Sequence, residues 1–237
     1  MKIHGLNKLT LLDFPGHIAC TVFTGHCNMR CPFCHNAPLV LFPGTQPEIS
    51  GEEFFDFLKK RQGTLEGVCV TGGEPTLAPD LAGFLGKIKA QGYLVKLDTN
   101  GTNPAMLRQI VAEGLADYIA MDIKSSLSRY AEAAGIKDFQ TDAVAKSADL
   151  IMRAGIPYEF RTTVVRELHD AATFSSIGEW LHGARAYYLQ ALKTDGSMIC
   201  SFSKTFTALT GYSAVELNGF LELLEPHFGT VGLRGIC

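Results

Sequence analysis

The feature that most restricts the fold is a regular alternation of short apolar runs with helical segments. Strand-like runs cover 18–24, 68–71, 94–98, 118–123, 158–165 and 186–192. Helical segments cover 52–61, 80–91, 104–113, 142–154, 171–181 and 214–224. Ser50 with Glu53 three residues on reads as an N-cap. Pro104 suits a first helical position, and Gly92, Gly114 and Gly155 suit helix ends. Strands that alternate with helices pair in parallel through right-handed crossovers. Six such units are too few to close an eightfold barrel. At 237 residues with 46% hydrophobic content, the expectation is one α/β domain over 1–237, with 1–17 as an N-terminal extension.

Parallel sheets bind ligands at the carboxyl ends of their strands, and the chemically notable residues of this chain fall there. Cys27-Asn-Met-Arg-Cys31-Pro-Phe33-Cys34-His35 follows the first strand. Gly72-Gly73-Glu74-Pro75 follows the second, Asp98-Thr99-Asn100-Gly101 ends the third, and Asp122-Ile123-Lys124 ends the fourth. Arg161 lies in the fifth and Gln190 in the sixth.

The Cys-x3-Cys-x2-Cys spacing supplies three thiolates from one loop. A cubic iron–sulfur cluster normally takes one cysteine per iron, so three ligands leave one iron open to a small molecule. A structural zinc site completed by His35 or His26 is the rival. Zinc prefers four ligands, often as two separated pairs, and no second Cys or His pair follows. Disulfides are a poor account of an odd total of seven cysteines without a secretory signal. Cys20 and Cys69 fall in strands and read as small core residues. Cys200 and Cys237 are far in sequence from each other and from the loop, which argues against a second cluster.

The three cysteines, with Phe33 just before the last of them, resemble the signature loop of the radical S-adenosylmethionine enzymes. More narrowly, the chain resembles the activating enzymes of glycyl-radical proteins, above all the long form of the anaerobic ribonucleoside-triphosphate reductase activating proteins. That resemblance implies a partial, open (β/α)6 barrel, a 4Fe-4S cluster on Cys27, Cys31 and Cys34, and S-adenosyl-L-methionine on its open iron. Gly72, Gly73 and Glu74 would then hold the methionine amino group. Phe33 and the backbone at His35 would meet the adenine, and Lys124 with Asp122 and Arg161 the rest of the cofactor. By resemblance to the pyruvate formate-lyase activators, Asp98, Thr99, Asp122 and the Ala120 carbonyl would hold a monovalent cation. Hard cations take oxygen ligands, and two close aspartates repel unless a positive charge lies between them.

Thr10-Leu-Leu-Asp13-Phe14-Pro15-Gly16 resembles the segment that touches the partner's glycine loop in such activators. Asp13 is therefore the candidate partner contact, against a plain Asp-Phe-Pro-Gly turn. The pyruvate formate-lyase activators carry a histidine near the end of the sixth strand. Here Tyr187–Lys193 has none, with Gln190 or Lys193 as substitutes. That difference leans toward the anaerobic reductase.

The implied reaction is reductive cleavage of S-adenosylmethionine, followed by removal of a hydrogen atom from a partner's backbone glycine. A flavodoxin- or ferredoxin-like protein would supply the electron. The alternatives are a pyruvate formate-lyase-type activase, a radical enzyme acting on a small molecule in modified-base biosynthesis, and a zinc-stabilised interaction module. A net charge of −3 argues against a general nucleic-acid binder. No apolar stretch reaches the roughly 20 residues that span a bilayer. Free thiols and the lack of a signal peptide lead us to expect a cytoplasmic protein.

Overall fold

The computed structural model describes residues 1–193, 198–202 and 208–235. Eight strands form one sheet in the order of the chain: β1 (Ile3–Thr10), β2 (Ala19–Thr24), β3 (Gly67–Gly72), β4 (Leu94–Thr99), β5 (Tyr118–Asp122), β6 (Tyr158–Val164), β7 (Tyr187–Ala191) and β8 (Val231–Arg234). β1 pairs antiparallel with β2, and every later pair is parallel. β1 and β8 are the two edges and do not pair with each other. The architecture is a partial, open barrel.

The six expected strands all form. The helices expected with them are α2 (Gly51–Lys59), α3 (Leu81–Ala90), α4 (Pro104–Ala112), α6 (Asp142–Met152), α7 (Ala171–Trp180) and α8 (Ala214–Leu224). Local chemistry fixes their starts. The Ser50 side chain accepts from the Glu53 N–H, Asn103 caps α4 ahead of Pro104, and Asp170 and Ser213 form capping boxes on α7 and α8. Two further short helices, α1 (Ala37–Leu41) and α5 (Tyr130–Ala134), flank the cysteine loop.

The strands at either edge are additions to the sequence reading. Residues expected as an extension include β1, which is half exposed along most of its length. It therefore lacks the apolar alternation that marks a strand. β8 is only four residues long.

Side chains alternate across the sheet. Val95 and Leu97, Ile119 and Met121, and Phe160 are fully buried with the helices. The other face is polar. In-register pairing puts Lys96 beside Tyr118, Asp98 beside Ala120, and Asp122 beside Arg161. It also puts Ala120 beside Glu159, Thr163 beside Gln190, and Gln190 beside Arg234. A charged interior and an apolar exterior thus come from the same strands. Among the described residues no helix is long and apolar enough to cross a membrane.

Candidate active site

The cysteine loop lies at the carboxyl end of β2, and its backbone is tied to four other parts of the chain. His26 N–H donates to the Leu39 carbonyl (3.0 Å), Arg30 N–H to Ala134 (2.8 Å), Glu74 N–H to His26 (2.8 Å), and Cys200 N–H to Pro32 (2.9 Å). Within the loop, Cys34 N–H closes a turn on Cys31 (3.0 Å). Cys200 is therefore near the loop after all, because the fold returns the chain there. It packs into the apolar core, while the thiols lining the cavity are those of Cys27, Cys31 and Cys34. Cys20 and Cys69 are buried strand residues, as expected. Cys237 lies outside the described residues.

Gly72 and Gly73 press the β3 loop against this segment. A β-carbon on Gly72 would stand 2.3 Å from the Thr24 nitrogen, and one on Gly73 1.8 Å from the His26 carbonyl oxygen. Gly72 also has φ +118, a conformation side chains resist. The Asn36 amide donates to the Gly72 carbonyl (2.8 Å). These glycines bring two loops into backbone contact, and both also line the cavity beside the cysteines.

Glu74 is buried. Its Oε1 accepts from the Thr76 N–H (3.1 Å), the Thr76 hydroxyl (2.5 Å) and the Thr99 hydroxyl (2.8 Å). Its Oε2 accepts from the Asn100 N–H (2.6 Å), which leaves that oxygen acceptor capacity toward the cavity. Burial pushes the Glu74 carboxyl up, against the pull of those hydrogen bonds. The Glu74 carboxylate thus joins the ends of β3 and β4.

Asp98, Asp122, Lys124 and Arg161 line the same cavity and form one ionic chain. Lys96, which the sequence reading passed over, donates to Asp98 Oδ1. Arg161 Nη2 donates to Asp98 Oδ2 (3.0 Å) and its Nε to Asp122 Oδ1 (2.5 Å). Lys124 Nζ donates to Asp122 Oδ2 (3.0 Å). Burial alone would raise both carboxyls, but Arg161 with Lys96 holds Asp98 below the usual carboxylate range, and Arg161 with Lys124 does the same for Asp122. Behind Arg161, at 3.9 Å, lies Glu159, which is 0% exposed. Glu159 is gripped by Arg234 (2.5 and 2.7 Å) and by the Tyr118 hydroxyl (2.8 Å). Lys96 and Glu159 carried a signal in the sequence: charges two residues apart in apolar strands, as in Lys96–Asp98 and Glu159–Arg161, mark one polar face; Arg234, in the four-residue last strand, carried none.

Phe33 is buried at the cavity wall, with Lys124 Nζ 5.9 Å from its ring centre. His35 is exposed, and its Nε2 meets the Lys193 carbonyl (2.6 Å). A second groove of about 640 Å³ adjoins the first, with His35, Asp98, Arg161 and Thr163 common to both. Its outer wall holds Leu11, Leu12 and Asp13 from one sheet edge and Arg234 from the other, with Gln190 and Lys193 between. Asp13 accepts from the Thr21 hydroxyl (2.5 Å), just ahead of a turn closed by His17 N–H to the Phe14 carbonyl (3.1 Å).

The donor set fits a cluster better than a single ion. No three His, Cys, Asp or Glu side chains among the described residues converge on one ion position. A cluster asks instead for thiols spread around a shared cavity, one per iron. Burial raises all three thiols, Cys31 to about 12, so loading iron there must release protons. The Met29 N–H and the Asn100 amide both point at Cys27 Sγ (3.4 and 3.7 Å).

An α/β sheet with a thiol-lined, charge-rich cavity at its strand ends defines a cofactor-dependent enzyme, and comparison with known proteins specifies the class. The profile of the Radical SAM superfamily matches residues 21–173. The chain belongs to that superfamily, a membership that implies a 4Fe-4S cluster and S-adenosylmethionine. A Methanocaldococcus jannaschii protein, provisionally described as a glycyl-radical enzyme activating enzyme, is 28% identical over 99% of this chain and 96% of its own length. The pyruvate formate-lyase-activating enzyme of Clostridium pasteurianum is 31% identical over 52% of each chain. The 7-carboxy-7-deazaguanine synthase of Haemophilus influenzae is 28% identical over 73% of this chain and 66% of its own. Among solved structures, Streptococcus suis SuiB superposes with a TM-score of 0.68 at 13% identity, over 91% of this chain. This chain spans about half of SuiB, 48%, and the likeness is one of fold.

Proposed function

We propose that this enzyme activates a glycyl-radical enzyme, with anaerobic ribonucleoside-triphosphate reductase as the partner and a flavodoxin- or ferredoxin-like protein as electron donor. The carrying observation is the second groove. It opens beside the cofactor cavity between the two unpaired sheet edges, and its lip exposes Leu11 and Leu12 (67% and 87%). Apolar side chains this exposed at the mouth of a charged cavity suit a polypeptide loop better than a small polar metabolite. The relatives described as activators support the same reading.

In this reading Cys27, Cys31 and Cys34 hold the cluster. The free acceptor site on Glu74 takes an ammonium group, and Lys124 takes a carboxylate or ribose oxygen beside the Phe33 ring. Asp122 and Arg161 orient Lys124, and Asp13 meets the incoming loop. Bound there and reduced by one electron, the cluster and cofactor would supply the radical chemistry that removes one hydrogen atom from a partner glycine, with methionine and 5′-deoxyadenosine as the released products. The residues of this chain bind, orient and exclude water.

A second reading, a radical enzyme acting on a carboxylated small molecule, is favoured by Lys193 in the groove and by the deazaguanine synthase relative. The test is anaerobic incubation of the cluster-loaded enzyme, a reductant and S-adenosylmethionine with the reductase, read by electron paramagnetic resonance. A glycyl doublet on the reductase supports the activase. Cofactor cleavage with no such doublet on the reductase or on pyruvate formate-lyase, but with turnover of a small carboxylated substrate, establishes the second reading.

A further inference from the structure

The acid pair at the ends of β4 and β5 is the place where the resemblance calls for a monovalent cation, and the residues there do not fit one. Each of the four carboxylate oxygens already accepts from a cationic nitrogen. Asp98 takes Lys96 on one oxygen and Arg161 on the other, and Asp122 takes Arg161 on one and Lys124 on the other. The Thr99 hydroxyl is also committed, donating to Glu74 (2.8 Å) and accepting from the Gly101 N–H (3.1 Å).

We propose that the Arg161 guanidinium replaces the monovalent cation in this protein, so that cofactor binding is independent of alkali ions. Three positive side chains on two carboxylates already leave the cluster of charges at +1. An alkali ion would have to strip away an N–H donor and then sit against three like charges. Hard cations need several oxygens at once, whereas a guanidinium needs only its planar fork of donors. Arg161 uses Nε for one aspartate and Nη2 for the other, and so fixes the spacing of both strand ends. Glu159 backs its third nitrogen at 3.9 Å. A guanidinium also keeps its charge at every accessible pH, whereas a bound ion follows the salt of the medium. Arg161 is thus a positioning residue, holding Asp122 and, through it, Lys124.

The inference rests on the cofactor of the family, not on the activase reading, and stands whichever substrate is right. The test uses the cluster-loaded enzyme in KCl, NaCl or choline chloride at equal ionic strength. S-adenosylmethionine affinity is measured by equilibrium dialysis and the melting temperature by calorimetry. The wild-type dissociation constant should agree within about twofold across the three salts, with no saturable rise in melting temperature. Arg161→Ala should bind about tenfold more weakly in choline and regain affinity with KCl or guanidinium, while Arg161→Lys should remain salt-independent. A saturable tightening of the wild type by potassium or sodium, absent with choline, overturns the proposal. So does an Arg161→Ala variant that binds as tightly as the wild type in choline.

Discussion

A β-carbon on Gly73 would lie 1.8 Å from the carbonyl oxygen of His26, one residue before the first loop cysteine. The Gly73 N–H also donates to the Thr24 carbonyl at 2.8 Å. His26 itself is the one non-glycine residue with positive φ among those described (62°). The two signature loops are therefore in direct backbone contact, and the missing side chain is what permits it.

Gly73→Ala must push these loops apart, since both obstructing atoms are backbone. The expected loss is at least about 2 kcal/mol of stability, with a fall in iron bound per chain. Gly83→Ala is the control. It lies in α3 with nothing near an added β-carbon, and should stabilise by about 0.5–1 kcal/mol. Denaturant titration and iron analysis of both variants decide the matter.

His169 gives the fold a pH dependence. It is buried, its Nε2–H donates to the Lys124 carbonyl (2.7 Å), and its Nδ1 accepts from the Val165 N–H (3.0 Å), so the neutral ring fits. Burial lowers its pKa below the ordinary 6.5, against those backbone contacts. The unfolded chain then takes up a proton that the folded chain refuses. Stability is full above pH 6.5 and falls as the pH drops below it, by at most ~1.4 kcal/mol per unit. The His169→Gln variant should show a flatter slope in denaturation curves of the cluster-free protein between pH 7 and 5.

Glu159→Gln should cost about 3–5 kcal/mol, because Arg234 would lose its buried counter-charge. The damage should be local to the last strand, which Arg234 anchors across β7. Faster amide exchange over Val231–Arg234, with the α2 and α3 amides unchanged, is the expected pattern. Global loss of protection would contradict it.

Leu12→Asp should leave iron content and melting temperature unchanged, since the side chain is almost wholly exposed. Under the activase reading it should lower glycyl-radical yield about tenfold at limiting partner concentration. An unchanged yield would remove Leu12 from the partner contact.

Much of the fold was legible because buried parallel strands and capped amphipathic helices carry strong local signals. The six central strands and the six long helices fall within three residues of their expected bounds at every end. β1 and β8 escaped because an exposed edge and a four-residue strand have no such signal. The cavity residues were legible because strand ends share one rim. Lys96 and Glu159 were missed because a charge inside an apolar strand reads as an interruption until the fold supplies its partners, Asp98 along the same strand for Lys96 and Arg234 across β7 for Glu159. The proximity of Cys200 to Pro32 was likewise not legible, since it is a product of tertiary return.

The four backbone bonds that tie the cysteine loop to the rest of the fold run to Leu39, Glu74, Ala134 and Cys200, and none of these four involves a thiol side chain. The cradle is therefore preorganised, unlike a zinc finger, whose folding depends on its metal. An enzyme stripped of iron by oxygen should remain folded with its receptor intact. Inactivation by air would then be a loss of cargo, and repair a matter of refilling the cradle, without refolding the chain.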